Sequence, residues 1–301
     1  MAPAPALPRF LRDALPYSRK LFVPPSGQDR GREMHLIDHG PANARVTVWL
    51  QHGNPTWSFL WRKVLARLPT DELRIIVPDL YGLGLSSKHL GVAEHQVDRH
   101  LDALEGLFAK LGLDRVIWVG QDWGGPMVAG LAARHPSSAA GLLLMNTSVR
   151  VPRRPRGTAF HRFARLPVVS DLAFRGLGFP QRDLSRAQGD PASMRGLARR
   201  AYRWPLRSLR GNAAPLGMAR MVPDGPDHPS VPALRPGTEW VQGYGGPIEL
   251  VWGTRDPILG RAIEAHESML PSARVTRCEA GHFLQEEVPD LIAEAILRLA
   301  K

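Results

Sequence analysis

Residues 116–126 read VIWVGQDWGGP, an apolar run that ends in the pattern Gly-x-Asp-x-Gly. The β-branched and aromatic residues at 116–119 favour a buried strand, and apolar residues at helical spacing follow over 127–133. This order predicts a strand, a sharp turn and a helix, with Asp122 at the tip of the turn between two small glycines. A carboxylate held there is charged at neutral pH and can displace a leaving group from a saturated carbon. An ordinary turn aspartate is the simpler alternative.

Strand and helix patterns alternate on both sides of this turn. The buried strands are predicted at 45–50, 74–77, 141–146, 248–253 and 274–278. Two short antiparallel strands are predicted near the start, at 21–23 and 34–38. Helices are predicted at 56–68, 96–111 and 289–299. The alternation predicts an α/β fold with a mostly parallel sheet flanked by helices.

The alternation stops after residue 146. From 147 to about 230 the chain is rich in Pro, Arg and Gly and has only helical patches. We therefore predict a helical cap, 147–230, inserted into one α/β core made of residues 1–146 and 231–301.

Charge and composition limit the functional classes. The net charge is +11, carried almost wholly by arginine, and residues 150–210 hold fifteen arginines against three acids. Since no nucleic-acid motif accompanies them, we favour a solvated surface, or an interface in a homo-oligomer, over nucleic-acid binding. The single Cys278 excludes a disulfide within the chain. No apolar stretch reaches membrane-spanning length and no secretory signal is recognised, so a soluble, cytoplasmic protein without a membrane partner is predicted.

Four polar residues follow predicted strands, where parallel strands place their carboxyl ends on one edge of the sheet. They are Asn54, Asp122, Asp256 and His282. The order nucleophile, acid, histidine along the chain is that of a hydrolase triad, with His282 as the base. A histidine or asparagine in a loop is also common as a structural residue. His52, which precedes Gly53, is interpreted as such a structural residue.

Three motifs carry a family resemblance: HGNPT at 52–56 with LWR at 60–62, DLYGLGLS at 79–86, and GQDWGGP at 120–126. They closely resemble the haloalkane dehalogenases of the α/β-hydrolase fold, over nearly the whole chain and most weakly in the cap. The resemblance implies hydrolysis of a small halogenated alkane to an alcohol and a halide ion, with Asp122 as nucleophile and His282 as base. It also implies that the side-chain N–H groups of Asn54 and Trp123 bind the halide and that their backbone N–H groups form the oxyanion hole. It implies no cofactor, and no metal-ligand spacing is present in the sequence.

The family places the acid of the triad in one of two loops. One group has a glutamate where this chain has Asn146, and the other has an aspartate in the loop after the next strand, where this chain has Asp256 in TRDPILG at 254–260. The resemblance therefore favours the subgroup with an Asp-His-Asp triad and an Asn-Trp halide pair. The glutamates near His282 are interpreted as solvated charges, namely Glu279, Glu286 and Glu287.

Three other functions share this fold. An epoxide hydrolase typically uses two cap tyrosines as acids, and the predicted cap contains only Tyr202. A cofactor-free luciferase-like oxygenase and a catalytically idle binding protein of the same fold are the remaining alternatives.

Overall fold

One nine-stranded sheet organises the part of the chain that the structure, a computed structural model, describes: residues 1–155, 157–209 and 211–301. The order across the sheet is β1-β2-β3-β5-β4-β6-β7-β8-β9. The strands are β1 (Ala2–Pro3), β2 (Arg19–Phe22), β3 (Met34–His39), β4 (Thr47–Gln51), β5 (Arg74–Pro78), β6 (Val116–Asp122), β7 (Ala139–Thr147), β8 (Ile248–Gly253) and β9 (Arg274–Cys278). The six strands from β4 to β9 run parallel, and β1 to β3 pair antiparallel at one edge. The predicted mostly parallel sheet is confirmed.

The helices cover both faces of the sheet and fill the segment between β7 and β8. They are α1 (Arg9–Arg12), α2 (Arg62–Leu65), α3 (Val97–Leu111), α4 (Gly124–Arg134), α5 (Ala159–Arg165), α6 (Val169–Asp171), α7 (Leu197–Arg203), α8 (Ala213–Met221), α9 (Val231–Gly243), α10 (Ile263–Met269), α11 (Leu284–Glu287) and α12 (Pro289–Ala300). The helix predicted at 56–68 is wrong in length. A 3₁₀ turn at Ser58–Trp61 precedes the single turn of α2, because the buried Asp79 carboxylate accepts the N–H of Ser58 and fixes the chain there.

Alternate side chains of the strands enter two apolar layers, one on each face of the sheet. In β6, Val116 and Trp118 join one layer, whereas Ile117 and Val119 join the other. This is why the strands read as continuous apolar runs in the sequence: a parallel strand covered on both faces has no solvent side.

The helical segment between β7 and β8 contains no strand among its described residues. Within it, α9 packs on the core helix α4 so closely that a Cβ on Gly237 would lie 2.9 Å from the backbone nitrogen of Gly130. The boundaries of the cap at 147 and 230 stay a prediction. Two of the arginines counted in the basic stretch, Arg156 and Arg210, lie outside the described residues.

The contacts of Glu286 and Glu287 correct their interpretation as solvated charges, and those of Glu286 join Arg62 to Tyr202 of the predicted cap. The Glu286 side chain is fully buried, accepts two hydrogen bonds from Arg62 at 2.5 and 2.7 Å, and accepts the Tyr202 hydroxyl hydrogen at 2.6 Å. Glu287 accepts the backbone N–H groups of three residues, among them Gly281 at 3.1 Å. Only Glu279, 80% exposed, is a solvated charge as predicted. The difference arises because α11 turns two of the three glutamates inward.

Replacement of Glu286 tests how much this buried ion pair stabilises the fold. Glu286→Ala leaves the Arg62 guanidinium, 11% exposed, without its carboxylate, so we expect the free energy of unfolding to fall by about 3–5 kcal/mol. Glu279→Ala removes an exposed partner of Arg255 and should cost less than about 1 kcal/mol. Urea denaturation of both variants measures the difference, and equal losses would contradict the assignment.

Candidate active site

Asp122 lies at the end of β6 in a backbone conformation that few residues with side chains adopt, with φ at +53°. The flanking glycines permit it. A Cβ on Gly120 would lie 2.5 Å from the carbonyl oxygen of Gly124, and one on Gly124 would lie 2.1 Å from that of Gln51. The turn is therefore as tight as the sequence predicts, and it lifts a charged side chain to the carboxyl edge of the parallel strands.

The two oxygens of the Asp122 carboxylate have different neighbours. Oδ1 accepts the backbone N–H of Asn54 at 2.7 Å, and Oδ2 lies 3.5 Å from Nε2 of His282. The loop after β4 presses on the carboxylate so closely that a Cβ on Gly53 would lie 2.2 Å from Oδ1. The side chain keeps 17% of its surface exposed, so it is not sealed from solvent.

Asp256 lies behind His282. Its Oδ2 is 2.8 Å from Nδ1 of the ring, and the side chains of the two residues are 0% and 1% exposed. Burial lowers the pKa of His282, but the carboxylates of Asp256 and Asp122 outweigh it and raise the pKa to about 10. Burial raises the pKa of Asp256, and His282 with the N–H donors around it lowers that pKa below its ordinary value. The imidazole therefore carries a proton on Nδ1 and points Nε2 at Asp122.

Asn146 is a site residue whose contacts sequence reasoning missed. It occupies the place of the alternative acid at the end of β7, and its Nδ2 donates to Oδ2 of Asp256 at 2.7 Å and to the carbonyl oxygen of Gly253 at 3.0 Å. Its Oδ1 accepts the N–H of Gly253 at 2.7 Å, and Asp256 receives a further hydrogen bond from the N–H of Ile258. The position of Asn146 in the sequence could have indicated this contact. A residue at the end of one parallel strand lies beside the loop that follows the neighbouring strand, and here that loop carries Asp256.

The two predicted halide donors border the same carboxylate. Asn54 touches Asp122 through its backbone, and its Nδ2 donates to the carbonyl oxygen of Pro215 in α8 at 3.1 Å. An amide nitrogen has two hydrogens, so one remains for another acceptor. Trp123 directly precedes α4 and is 7% exposed, and no described residue accepts a hydrogen bond from its indole N–H. Its backbone N–H lies at a helix start, where such groups lack partners within the helix.

His52 holds the loop that carries Asn54. It is fully buried, its Nε2 accepts the N–H of Leu80 at 3.1 Å, and its Nδ1 therefore bears the proton donated to the carbonyl oxygen of Gly53 at 2.9 Å. Burial lowers the pKa of His52. These contacts fit its interpretation as a structural residue.

Two properties of the described residues bear on other functions. They contain no group of three or more His, Cys, Asp or Glu side chains arranged to hold a metal ion. Nor does any helix among them combine the length and apolar character needed to cross a bilayer.

Comparison with known proteins shows the family to which the chain belongs. A family model described as the alpha/beta hydrolase fold matches residues 46–289. A haloalkane dehalogenase of Mycobacterium marinum is 32% identical over 88% of this chain and 87% of its own length, and haloalkane dehalogenase 2 of Mycobacterium bovis is 32% identical over 89% and 91%. The chain belongs to the haloalkane dehalogenase family of α/β hydrolases, enzymes that act on carbon–halogen bonds.

Solved structures of haloalkane dehalogenases share the fold of this chain. The tetrameric haloalkane dehalogenase DpaA of Paraglaciecola agarilytica superposes with a TM-score of 0.81 at 25% identity, over 94% of this chain and 93% of that one. DatA of Agrobacterium tumefaciens superposes with a TM-score of 0.79 over 94% and 96%, and at 23% identity it supports the fold alone.

The contacts of Asp256 lead to a graded prediction. Asp256→Asn removes the charge that holds the His282 tautomer, so turnover should fall by about 10³–10⁴-fold. Asn146→Ala removes one hydrogen bond to that carboxylate and should cost about tenfold. Steady-state halide release measures both variants. If Asn146→Ala were the more damaging change, Asp256 would not be the acid of the triad.

Proposed function

We propose that this protein hydrolyses small halogenated alkanes through a covalent ester on Asp122, with His282 as base, Asp256 as its partner, and Asn54 and Trp123 as the halide donors. The proposal rests on one observation, that the two oxygens of the Asp122 carboxylate have different neighbours. Oδ1 receives the Asn54 N–H at 2.7 Å, while Oδ2 faces a histidine held by a second buried carboxylate. Oδ1 is thus held by the backbone, and Oδ2 is the oxygen to which we assign the attack.

In the first step Oδ2 of Asp122 attacks the carbon that bears the halogen, and the halide leaves with the electrons of the broken bond. No proton moves, so this step requires no base. Formation of the ester removes the charge of Asp122, one of the two carboxylates that raise the pKa of His282. The pKa of His282 therefore falls in the intermediate, which is the species that needs a neutral base.

The departing halide requires donors placed where its charge develops. The amide of Asn54 and the indole of Trp123 suit this role because they are neutral donors, which stabilise an anion without holding it permanently. Pro215 supports the assignment, since its carbonyl fixes one amide hydrogen of Asn54 and thereby the direction of the other.

In the second step His282 takes a proton from water, and the resulting hydroxide attacks the carbonyl carbon of the ester. The backbone N–H of Asn54, with that of Trp123 as the second donor, stabilises the oxyanion on Oδ1. The products are the alcohol, the regenerated Asp122 carboxylate and the proton. The sequence of steps calls for no cofactor and no metal.

The arrangement of the cap tyrosine argues against an epoxide hydrolase. Tyr202 is fully buried, its hydroxyl donates to Glu286 at 2.6 Å, and burial together with that carboxylate raises its pKa well above the ordinary value. A phenol bound in this way is a poor acid for an opening ring. We also retain as proposals a cytoplasmic location, the absence of a nucleic-acid partner, and a homo-oligomer, for which the tetrameric DpaA offers a precedent among the relatives.

Loss of His282 tests the covalent step. His282→Phe should release about one halide ion per active site from a bromoalkane and gain the mass of the alkyl group, because only hydrolysis needs the base. Peptide mapping should place the added mass on Asp122, and Asp122→Ala is the control that should release none. Halide released without an adduct would indicate direct attack by water. An adduct formed with an epoxide instead of the bromoalkane would favour the epoxide hydrolase.

Loss of either halide donor tests the binding of the leaving group. Trp123→Phe keeps an aromatic ring and removes only the indole N–H, and Asn54→Ala removes the amide. Each change should lower turnover by about 10²-fold or more and weaken the binding of free halide in parallel. Tryptophan fluorescence titrated with bromide measures the binding. Wild-type halide affinity in Asn54→Ala would remove Asn54 from this role.

A further inference from the structure

A cleft of about 680 Å³ lies within the predicted cap, and arginine is the most frequent residue among those that line it. Six arginines line it: Arg175, Arg182, Arg199, Arg200, Arg203 and Arg207. None of the described residues that line it is an aspartate or glutamate. None of the residues assigned above to catalysis or halide binding lines it either.

Most of these charges are uncompensated. Arg175 pairs with Asp171 at 2.9 Å, and the guanidinium of Arg200 lies 3.8 Å from the centre of the Phe10 ring. No carboxylate among the described residues lies within ion-pair distance of the remaining four, Arg182, Arg199, Arg203 and Arg207. Outside the cleft, Arg165 and Arg186 have such partners, whereas Arg162 and Arg195 have none within the described residues. What distinguishes the cleft is therefore the number of arginines gathered in it without an acid. Like charges gathered in a concave site repel one another and raise the local potential for an anion.

Buried amides form a fixed polar wall of this cleft. Gln181 and Asn212 are 3% and 5% exposed, and the Nε2 of Gln181 donates to Oδ1 of Asn212 at 3.2 Å. Asn212 in turn donates to the carbonyl oxygen of Arg175 at 2.9 Å. The Oε1 of Gln181 is buried and has no donor among the described residues, although buried polar atoms are ordinarily paired. These contacts hold the two amides in place beside the arginines.

We propose that this cleft binds a small phosphorylated compound that carries at least two negative charges. The guanidinium group forms paired hydrogen bonds to phosphoryl oxygens, and the cleft volume lies within the range of about 300–1,000 Å³ typical of small-molecule sites. Nucleic acid fits less well, since no aromatic side chain lines the cleft to stack on a base. Another cleft, lined by Arg150, Arg153 and Arg235, is a weaker candidate for anion binding because Glu239 also lines it.

The proposal does not depend on the dehalogenase mechanism, and the two can fail separately. Asn212 precedes the first residue of α8, and Pro215 in that helix touches Asn54, so the cleft lies at the start of a helix that also reaches the active site. Binding in the cleft does not involve Asp122, and Asp122→Ala should therefore bind the anion like the wild type.

Calorimetric titration of the full chain with pyrophosphate at physiological ionic strength tests the proposal. We expect saturable binding at one site. Arg199 and Arg203 lie one turn apart on α7, and Arg199→Gln combined with Arg203→Gln should weaken binding by about tenfold or more. The matched control is Arg162→Gln with Arg195→Gln, which removes the same charge from exposed cap arginines outside the cleft and should leave the affinity within about twofold.

Three results would overturn the proposal. The first is the absence of saturable pyrophosphate binding by the wild type. The second is an equal loss in the two double variants, which would mean that only the overall charge matters. The third is binding of single-stranded oligothymidylate, or of vesicles of equimolar phosphatidylcholine and phosphatidylglycerol, without binding of pyrophosphate. Thermal unfolding of each variant verifies that it remains folded.

Discussion

The close packing around the Asp122 backbone is the constraint on which the rest of the site depends. A positive φ at a residue with a side chain is held only where the surroundings over-determine it. Here the end of β4, the turn after β6 and the start of α4 meet without room for a Cβ at Gly53, Gly120 or Gly124. The close packing at these glycines imposes the strained turn and also brings the Asn54 N–H within 2.7 Å of Oδ1 of Asp122. The fold of the turn and the geometry of the carboxylate therefore depend on the same contacts.

The electrostatics of the site follow from that geometry. Two carboxylates flank one buried imidazole, and their attraction outweighs the cost of burial and raises the pKa of His282 to about 10. The folded state therefore favours the protonated ring. Its contribution to stability is fully present below the ordinary histidine pKa of about 6.5 and is lost as pH rises toward 10. Loss of the charge of either carboxylate would remove part of that attraction and lower the pKa of His282.

Local patterns in the sequence were sufficient for the turn, the sheet and the residues that follow its strands, because strand period and glycine placement depend on neighbours in the chain. They were insufficient where a contact joins distant segments. Glu286 meets Arg62, more than two hundred positions away, and its inward direction depends on how α11 packs. Asn146 holds Asp256 across two adjacent strands. Neither contact produces a periodic pattern in the sequence. Glu286 was therefore interpreted as a solvated charge, and Asn146 only as a position where the alternative acid is missing.

Asn54 joins the loop after β4 to helix α8. Its backbone belongs to the core and contacts Asp122, whereas its side chain is oriented by the carbonyl of Pro215 in α8. Asp122, Asp256 and His282 contact one another from the ends of β6, β8 and β9, and the backbone N–H of His282 donates to the carbonyl oxygen of Ala187 at 2.7 Å. At Asn54 and at His282 alike, the segment between β7 and β8 supplies a backbone carbonyl, and a backbone carbonyl accepts a hydrogen bond whatever side chain its residue carries.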